Sequence, residues 1–407
     1  MKKTLKEIWR SIFRQPWPRT AVERSATVVG NVFLHLHPAT VRRHALRFTF
    51  TFGLGGTAIF LFVLLVGTGI LLCFYYSPSP EEAYRSMEDL RSVIPFGRFL
   101  RNLHRWAAHG MVIVVFLHLC RVFYTGSYKR PRQFNWVVGV FLFLLTLGLS
   151  FTGYLLPWDQ LAYWAIQVGT TIVSYVPSVG EDLRFVLLGG NVINEATLLR
   201  FYVLHCFVLP LAVIVLCALH FWRVRKDGGI SGPPLPPPEP APTGEPPPST
   251  KTYGLMAVAR RRGPPGALDP RDRVAVWPHL VYRELLWALI AFNVLCIVSY
   301  FVDAPLESIA DPTETPNPAK APWYFLGLQE LVHYSAFWGG VAAPGLVVLL
   351  LLLTPYIDRN PRGSGVWFHR SRRLATVVFT FIMGTSVILT LIGTFFRGES
   401  WHWVWPW

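Results

Sequence analysis

The sequence predicts an all-α protein that crosses a membrane seven times, with four spans in an amino-terminal domain and three in a carboxyl-terminal domain. Of its 407 residues, 52% are hydrophobic and only 15% are charged, a balance far from that of a soluble globular chain. Several uncharged stretches are long enough to cross a bilayer. They lie at 48–80, 133–158, 201–222, 285–302, 331–357 and 374–396, and the shorter stretch 106–120 completes the seven.

The placement of charge predicts the orientation of these spans. Lysine and arginine cluster at the amino terminus and in the segments 121–132, 223–273 and 359–373, so we expect these parts on the cytoplasmic side. The connections between them are acidic or mixed. The uncharged segment 160–180 would break this alternation if it crossed the membrane, so we expect it to lie on the outer surface. The amino terminus is then cytoplasmic and the carboxyl terminus is outside.

Four histidines recur at matched spacings on two of these spans. His104 and His118 are fourteen residues apart, and His205 and His220 are fifteen apart, so each pair lies nearly on one helix face at two membrane depths. Ionisable residues inside a bilayer are costly and usually functional. Two such helices offer two stacked imidazole pairs, each suited to hold a haem iron from both sides, which predicts a four-helix bundle with two bis-histidine b-type haems. His109 points elsewhere on its helix and is assigned to packing.

Glycines repeat the same spacing on two neighbouring spans. Gly55 and Gly69 are fourteen residues apart, and so are Gly139 and Gly153. Because glycine lets a flat cofactor approach the backbone, we interpret these positions as clearance for the porphyrins, with ordinary helix packing as the alternative.

Composition excludes several other classes. The net charge of +15 does not indicate nucleic-acid binding, because the basic residues cluster at helix ends and no folded basic domain carries a groove-binding element. No CxxC or CxxCH spacing occurs, so we expect neither a c-type haem nor an iron–sulfur cluster on this chain. The five cysteines fall within or at the ends of apolar helices: Cys73, Cys120, Cys206, Cys217 and Cys296.

The proline-rich segment 232–250 divides the chain. We predict four parts. They are a basic amphipathic segment on the cytoplasmic membrane surface (1–47), a four-helix di-haem domain (48–228), a proline-rich cytoplasmic linker (229–275) and a three-helix domain that carries a Pro-Trp-Tyr loop (276–407).

Five motifs occur in a characteristic order: RNLHRWAAH, WVVGVFLFLLTLGLSFTGYLLPWDQ, RFYVLHCFVLP, RKDGGISGP and PWYFLGLQE. With these motifs the chain resembles, over nearly its whole length, the cytochrome b of bacterial cytochrome bc1 and b6f-type complexes. The wider spacing of His205 and His220 and the lack of an eighth helix resemble a cytochrome b6 and a subunit IV fused through the linker.

The resemblance implies that His104 and His205 hold an outer, low-potential haem and that His118 and His220 hold an inner, high-potential one. Arg101 flanks the outer pair, and so does Arg105, where guanidinium groups suit haem propionates. The resemblance also implies two quinone pockets. The outer one, for quinol oxidation, comprises Pro157, Trp158, Asp159, Tyr163, Pro322, Trp323 and Tyr324, and the inner one, for quinone reduction, lies near Arg225, Lys226 and Asp227.

Partners and coupling are implied in the same way. One electron of each quinol passes to a mobile Rieske iron–sulfur protein and on to a c-type cytochrome, the other crosses the membrane through the haems, and the reaction translocates protons. The complex is expected to be a homodimer in a bacterial cytoplasmic membrane.

Two departures from the family pattern are visible. Gly53 stands where relatives of the shorter type carry a cysteine that bonds an additional haem, so no covalent haem is expected there. Pro322 stands where relatives have a proton-accepting glutamate. Since quinol oxidation needs a proton acceptor, we expect Glu330 or Asp159 to substitute, and of the two we prefer Glu330. The alternative for Glu330 is a solvated charge at a helix end. The altered loop is compatible with a lower-potential quinone such as menaquinone.

Two alternatives remain open. The chain could be a di-haem membrane anchor that passes electrons between quinone and a dehydrogenase or reductase, without a Rieske partner. It could also be a transporter or assembly subunit whose histidines bind no haem.

Overall fold

The computed structural model describes residues 17–31, 34–233 and 272–406, with Thr4 and Glu7 as isolated residues. Within these ranges seven helices are long and apolar enough to cross a membrane, which confirms the predicted fold class. They are Leu54–Cys73, Gly97–Tyr124, Gln133–Leu155, Glu195–Lys226, Val276–Phe301, Trp338–Ile357 and Arg370–Phe395. In chain order the elements are α1 (Ala21–Gly30), β1 (Thr40–Arg42), α2 (Phe48–Thr51), α3 (Leu54–Cys73), α4 (Ala83–Ser92), α5 (Gly97–Tyr124), α6 (Gln133–Leu155), α7 (Gln160–Ser174), α8 (Gly180–Leu188), α9 (Glu195–Lys226), β2 (Arg273–Ala275), α10 (Val276–Phe301), α11 (Trp323–Tyr334), α12 (Trp338–Ile357) and α13 (Arg370–Phe395).

The chain forms two compact units, of which the first comprises residues 1–53 and 221–286. Its strands β1 and β2 pair antiparallel, with Val41 opposite Val274. Val41 also packs with Val28 and Val276 in a small apolar core. Beside it, the Arg42 guanidinium pairs with the carboxylate of Asp272 over 3.0 Å.

The second unit comprises residues 54–220 and 287–407 and contains most of the helices. Phe123 of α5 stacks on Phe379 of α13 with ring centroids 3.8 Å apart. Nε1 of Trp136 on α6 donates a hydrogen bond to the carbonyl oxygen of Leu351 on α12 over 2.6 Å. Helices from both halves of the chain therefore share one apolar core.

The segment expected on the membrane surface forms α7, followed by α8. With 15 residues, α7 extends about 22 Å and is shorter than the roughly 30 Å hydrocarbon layer, so it does not count among the seven spans.

One predicted span is interrupted. The uncharged stretch 331–357 contains the end of α11 and the whole of α12, because the backbone is extended at Ser335 (φ −165°, ψ 123°). The Ser335 hydroxyl accepts a hydrogen bond from the backbone N–H of Trp338 over 3.2 Å and so caps the start of α12. At the other boundary, α10 starts nine residues before the stretch predicted for it at 285.

Two of the predicted parts, the amino-terminal segment 1–47 and the proline-rich linker 229–275, include residues that the structure does not describe. Most of the first 16 residues, which carry the basic amphipathic pattern, and residues 234–271 of the proline-rich linker are not described. The boundaries of the four predicted parts therefore stay predictions.

Candidate functional site

The outer histidines, His104 on α5 and His205 on α9, face each other. Their ring centroids lie 6.3 Å apart, with the ring planes at 77°. Two imidazoles that bind one transition-metal ion at about 2.0–2.1 Å place their ring centres about 6.3 Å apart. The separation of the two rings therefore fits a single metal ion held between them.

Threonine hydroxyls orient both outer rings. Oγ1 of Thr68 lies 2.8 Å from Nδ1 of His104 and donates its own hydrogen to the carbonyl oxygen of Leu64. Because the hydroxyl has one hydrogen, Nδ1 of the ring must be the donor, which leaves the lone pair on Nε2. Thr152 makes the same arrangement with Nδ1 of His205, over 3.1 Å. Both outer rings thus present the tautomer that a metal ion requires.

A local π-turn explains the wider spacing of the second histidine pair. His205 lies within a five-residue π-helical turn, Leu204–Val208, inside α9. Such a turn adds one residue relative to an α-helix. His205 and His220, fifteen residues apart, are therefore brought to depths that match those of His104 and His118, which are fourteen apart.

Each of the four predicted glycines faces the imidazole at its own depth. A methyl group at these positions would touch or overlap the ring, so the glycines keep α3 and α6 close to the histidines. The distances from the ideal Cβ position to Cε1 of the ring are 3.4 Å for Gly55 and His118, 3.2 Å for Gly69 and His104, 3.7 Å for Gly139 and His220, and 2.5 Å for Gly153 and His205.

The inner pair comes from the same two helices, with His118 on α5 and His220 on α9. His118 and His220 are half-buried and close enough to interact electrostatically. The ring of His220 also lies near the backbone of Asn135 on α6. The four histidines and four glycines that the sequence predicts therefore form two clusters.

The two predicted propionate partners differ in their contacts. Arg101 donates hydrogen bonds to the carbonyl oxygens of Ala304 over 2.8 Å and Pro305 over 2.7 Å, so both of its terminal nitrogens hold the connection after α10. The Arg105 guanidinium lies 5.0 Å from the ring centroid of Tyr154, and its Nε has no hydrogen-bond partner among the described residues. Of the two, Arg105 is the residue available to an acidic ligand group.

The turn that precedes α7 is part of a packed core. Trp158 is 6% exposed, adopts a left-handed backbone conformation (φ 53°) and contacts Tyr163 edge-on at 6.0 Å between ring centroids. Pro157, beside it, is half-buried. Trp158 and Tyr163, predicted for the quinol pocket, thus contribute to the apolar cluster around Leu155 and Ile166.

Asp159 joins the turn before α7 to the segment between α10 and α11. Its Oδ1 accepts a hydrogen bond from the backbone N–H of Ala162 over 2.9 Å, which caps α7, and its Oδ2 accepts one from Glu307 over 3.2 Å. Burial raises the pKa of the Asp159 carboxyl, although these hydrogen bonds oppose the shift. Both carboxylate oxygens therefore already have backbone partners.

The Pro-Trp-Tyr loop contacts α5 and α6 through residues for which the sequence predicted no role in the site. Nε1 of Trp323 donates a hydrogen bond to Nδ1 of His109 over 2.9 Å, and the ring of Tyr324 lies 5.6 Å from the same imidazole. Phe151, near the end of α6, packs edge-on against Phe325 at 5.9 Å. His109 therefore makes a specific contact with the loop in addition to the predicted packing. Its helix position indicated a different direction from His104 but not which segment it would meet.

Glu330 occupies a buried ion pair, which argues against the predicted role as a proton acceptor. It is 1% exposed, and its carboxylate accepts hydrogen bonds from Nε of Arg397 over 3.1 Å, from Nε1 of Trp401 over 2.9 Å and from the hydroxyl of Tyr334 over 3.2 Å. Burial alone raises the pKa of Glu330, but the hydrogen bonds from Arg397 and Trp401 and the charge of Arg397 outweigh it and leave the pKa lowered. A carboxylate held in its ionised form by several donors is a poor proton acceptor.

The charges predicted for the inner quinone pocket are partly engaged. Arg225 donates a hydrogen bond to the carbonyl oxygen of His35. The Lys226 ammonium lies 4.7 Å from the centroid of a neighbouring tryptophan ring, and Asp227 pairs with Arg223 over 3.1 Å. Asp227, expected to supply charge and protons, therefore has a guanidinium partner in the first unit.

Gly53 has a backbone conformation that suits glycine. Its φ of 65° lies in the left-handed region, directly before α3. A side chain, cysteine included, would be strained at this position.

Two family models match the chain, one on each side of the proline-rich segment. Residues 42–228 match "Cytochrome b/b6/petB", and residues 309–405 match "Cytochrome b(C-terminal)/b6/petD". The first match includes all four histidines, and the second includes the Pro-Trp-Tyr loop and Glu330.

Individual relatives agree with the family models. Cytochrome b6 of Heliomicrobium gestii is 42% identical over 205 residues, which cover 50% of this chain and 95% of that protein. Cytochrome b6 of Porphyra purpurea is 46% identical over 180 residues, covering 44% of this chain and 83% of that protein. Among solved structures, a chain of a hyperthermophilic respiratory Complex III aligns with a TM-score of 0.69 and 28% identity, covering 85% of this chain and 84% of that one.

The fold and the paired histidines define a multi-pass membrane protein of the electron-transport class. The chain belongs to the cytochrome b/b6 family, and both parts of the family, cytochrome b6 and the subunit IV-like carboxyl-terminal domain, are present in one polypeptide. It is a cytochrome b-type subunit of a quinol oxidoreductase complex of the bc or b6f type, and the family implies b-type haem.

Proposed function

We propose that the chain holds two b-type haems, an outer one between His104 and His205 and an inner one between His118 and His220. The observation that carries this proposal is the 6.3 Å separation of the outer rings, which suits one metal ion between them. When bound, the haems would supply a one-electron relay between the two faces of the membrane. Thr68 orients one outer ring by accepting its N–H hydrogen.

We further propose that quinol is oxidised at an outer site beside α11. Trp323 and Tyr324 provide apolar and hydrogen-bonding surface there, and His109 fixes the indole of Trp323 in one orientation. Arg105, with an unpartnered Nε, supplies positive charge on the same side of α5 as Tyr154. Asp159 holds the neighbouring turn against the connection that leads to α11.

Quinol oxidation at this site delivers one electron to a Rieske iron–sulfur partner and from there to a c-type cytochrome, and the second electron to this chain. Quinone reduction occurs near the end of α9, where Arg225, Lys226 and Asp227 provide charge. Because protons leave on the outer side and are taken up on the inner side, the reaction is coupled to proton translocation. The resemblance to the family supports these steps.

The orientation proposed for the chain follows from its charges. The basic connections lie on the cytoplasmic side of a bacterial membrane, with the amino terminus inside and the carboxyl terminus outside. Two copies form the complex, as the resemblance implies.

A redox titration of the purified complex tests these proposals. We expect two b-haems of different potential and a co-purifying Rieske protein identified by mass spectrometry. In the presence of quinol, adding an oxidant should reduce the haems, and an inhibitor of the outer site should change this reduction. Two haems without a Rieske partner or oxidant-induced reduction would instead support a membrane anchor without bifurcation. Absence of b-type absorption bands would contradict haem binding altogether.

A further inference from the structure

Two cysteines from distant parts of the chain meet beside the outer histidine pair. Cys73 is the last residue of α3, and Cys206 lies in the π-turn of α9, directly after His205. Their sulfur atoms are 3.8 Å apart, although 133 positions separate them in sequence. No other two cysteines among the described residues make such a contact.

We propose that Cys73 and Cys206 form a reversible disulfide that joins α3 to α9. The two S–H bonds break, one S–S bond forms, and two electrons and two protons leave together. A membrane quinone accepts both electrons and both protons and becomes quinol, so the reaction balances without another reagent. Formation requires the two sulfurs to approach from contact distance to about 2.05 Å.

The surroundings of the two thiols favour an apolar oxidant. Phe74, directly after α3, and Phe207, on α9, are 77% and 63% exposed beside the two cysteines. Because both helices are long and apolar enough to cross a membrane, we expect these rings to face lipid. The rings of Tyr76 and Tyr202 stack nearby with centroids 5.7 Å apart. A quinone dissolved in the bilayer therefore has an apolar surface beside this pair.

The disulfide would link α3, which carries a hydrogen-bond partner of one outer imidazole, to the part of α9 that carries the other imidazole. Thr68, about one helical turn before Cys73 on α3, hydrogen-bonds to His104. His205 directly precedes Cys206. Oxidation of the pair would fix α3 to the part of α9 that carries His205, and reduction would release it.

Differential alkylation of the complex in native membranes tests this proposal. Membranes are incubated with excess oxidised quinone or with excess quinol, quenched in acid and denatured, so that burial no longer limits labelling. Free thiols are then alkylated, disulfides are reduced, and a second, isotopically distinct reagent marks the released thiols for mass spectrometry.

After quinone treatment we expect the second label on Cys73 and Cys206, together with a linked pair of peptides two hydrogens lighter than the reduced forms. Cys217 and Cys296, which contact no other cysteine, serve as internal controls and take the first label. After quinol treatment all four take the first label. In Cys73→Ser the thiol of Cys206 should take the first label under both conditions, and Cys206→Ser should behave reciprocally.

The proposal is overturned if Cys73 and Cys206 take the first label after quinone treatment to the same extent as Cys296. Protection without a linked peptide, which indicates a mixed disulfide with a small thiol, would also overturn it. The measurement detects thiols directly and requires neither haem binding nor turnover. Its failure is therefore distinguishable from failure of the proposed electron-transfer function.

Discussion

The indole of Trp323 donates a hydrogen bond to Nδ1 of His109 over 2.9 Å, which connects the start of α11 to the middle of α5. Indole is only a donor, so Nδ1 must accept, and in the neutral ring the hydrogen lies on Nε2. Nε2 is buried and has no hydrogen-bond partner among the described residues. The imidazole thus orients the tryptophan that follows Pro322 and keeps one N–H group unengaged beside the proposed quinol site.

Trp323→Phe should therefore weaken quinol binding at the outer site. Loss of one hydrogen bond costs about 1 kcal/mol, which corresponds to a roughly fivefold increase in KM for quinol. Steady-state quinol oxidation by the purified complex measures this. Trp106→Phe is the matched control, because it removes an indole that also contacts His109 but donates to the Val302 carbonyl oxygen over 2.8 Å. An equal change in KM in both variants would contradict a specific role for the Trp323 contact.

Thr68→Val should raise the midpoint potential of the outer haem. The hydroxyl accepts the Nδ1 hydrogen of His104, which makes the imidazole a more basic ligand and favours oxidised iron. Its loss should shift the potential upward by about 40 mV, the equivalent of about 1 kcal/mol. The potential of the inner haem should not change in the same titration.

The control for this experiment is Thr146→Val on α6. Thr146 is also buried and also donates to the carbonyl oxygen four residues earlier, but it makes no hydrogen bond to a histidine among the described residues. A similar upward shift in Thr146→Val would show that packing, and not the hydrogen bond to His104, sets the potential.

Gly153→Ala should reduce occupancy of the outer haem while the inner haem is retained. The added methyl would lie 2.5 Å from Cε1 of His205, a contact that forces the ring to move. The control is Gly148→Ala, at another glycine of α6. Its added methyl would be in ordinary contact with Leu209 of α9, at 3.8 Å. Haem content per complex, from pyridine haemochrome spectra, should fall only in the first variant. Equal loss of haem in the two variants would contradict a specific role for the contact between Gly153 and His205.

Glu330→Gln should destabilise the complex. It should leave the pH dependence of the quinol-oxidation rate unchanged. Loss of one partner of a buried ion pair costs about 3–5 kcal/mol, and Arg397 would remain buried. Since the folded-state pKa of Glu330 is lowered, its stabilisation is present above the unfolded pKa and is lost as pH falls through the folded pKa.

Thermal unfolding of the complex at several pH values measures this effect. The double variant Glu330→Gln with Arg397→Gln serves as the control and should recover part of the lost stability, because no unpaired charge stays buried. Retained stability in Glu330→Gln together with a changed pH dependence of the quinol-oxidation rate would restore Glu330 as the proton acceptor.

Helical periodicity was sufficient to predict the features that repeat along the chain. The register of the histidines and glycines follows from 3.6 residues per turn, and the structure places each glycine against its histidine. The π-turn at His205 was visible in the sequence only as the fifteen-residue spacing between His205 and His220. The amino acids of the turn do not themselves indicate that its hydrogen bonds are π-helical.

Residues that depend on distant partners were harder to assign. Thr68 and Thr152 directly precede the outer glycines, a pattern present in the sequence, but their role depends on which ring lies beside them. Glu330 meets Arg397, 67 positions later, and no local pattern identifies that pair. Periodicity placed Glu330 on a helix face, and tertiary packing determined its chemistry.

The contacts of Arg101 and Trp136 bear on how such a polypeptide can arise from separate genes. Arg101 holds the backbone of Ala304 and Pro305, and Trp136 donates to Leu351, so side chains before the proline-rich segment bind backbone after it, within the second unit. Association of the halves therefore does not depend on a peptide bond between them. Genetic fission within residues 234–271, with both fragments expressed together, should still yield an assembled complex, and fusion of two ancestral genes would have required no new interface.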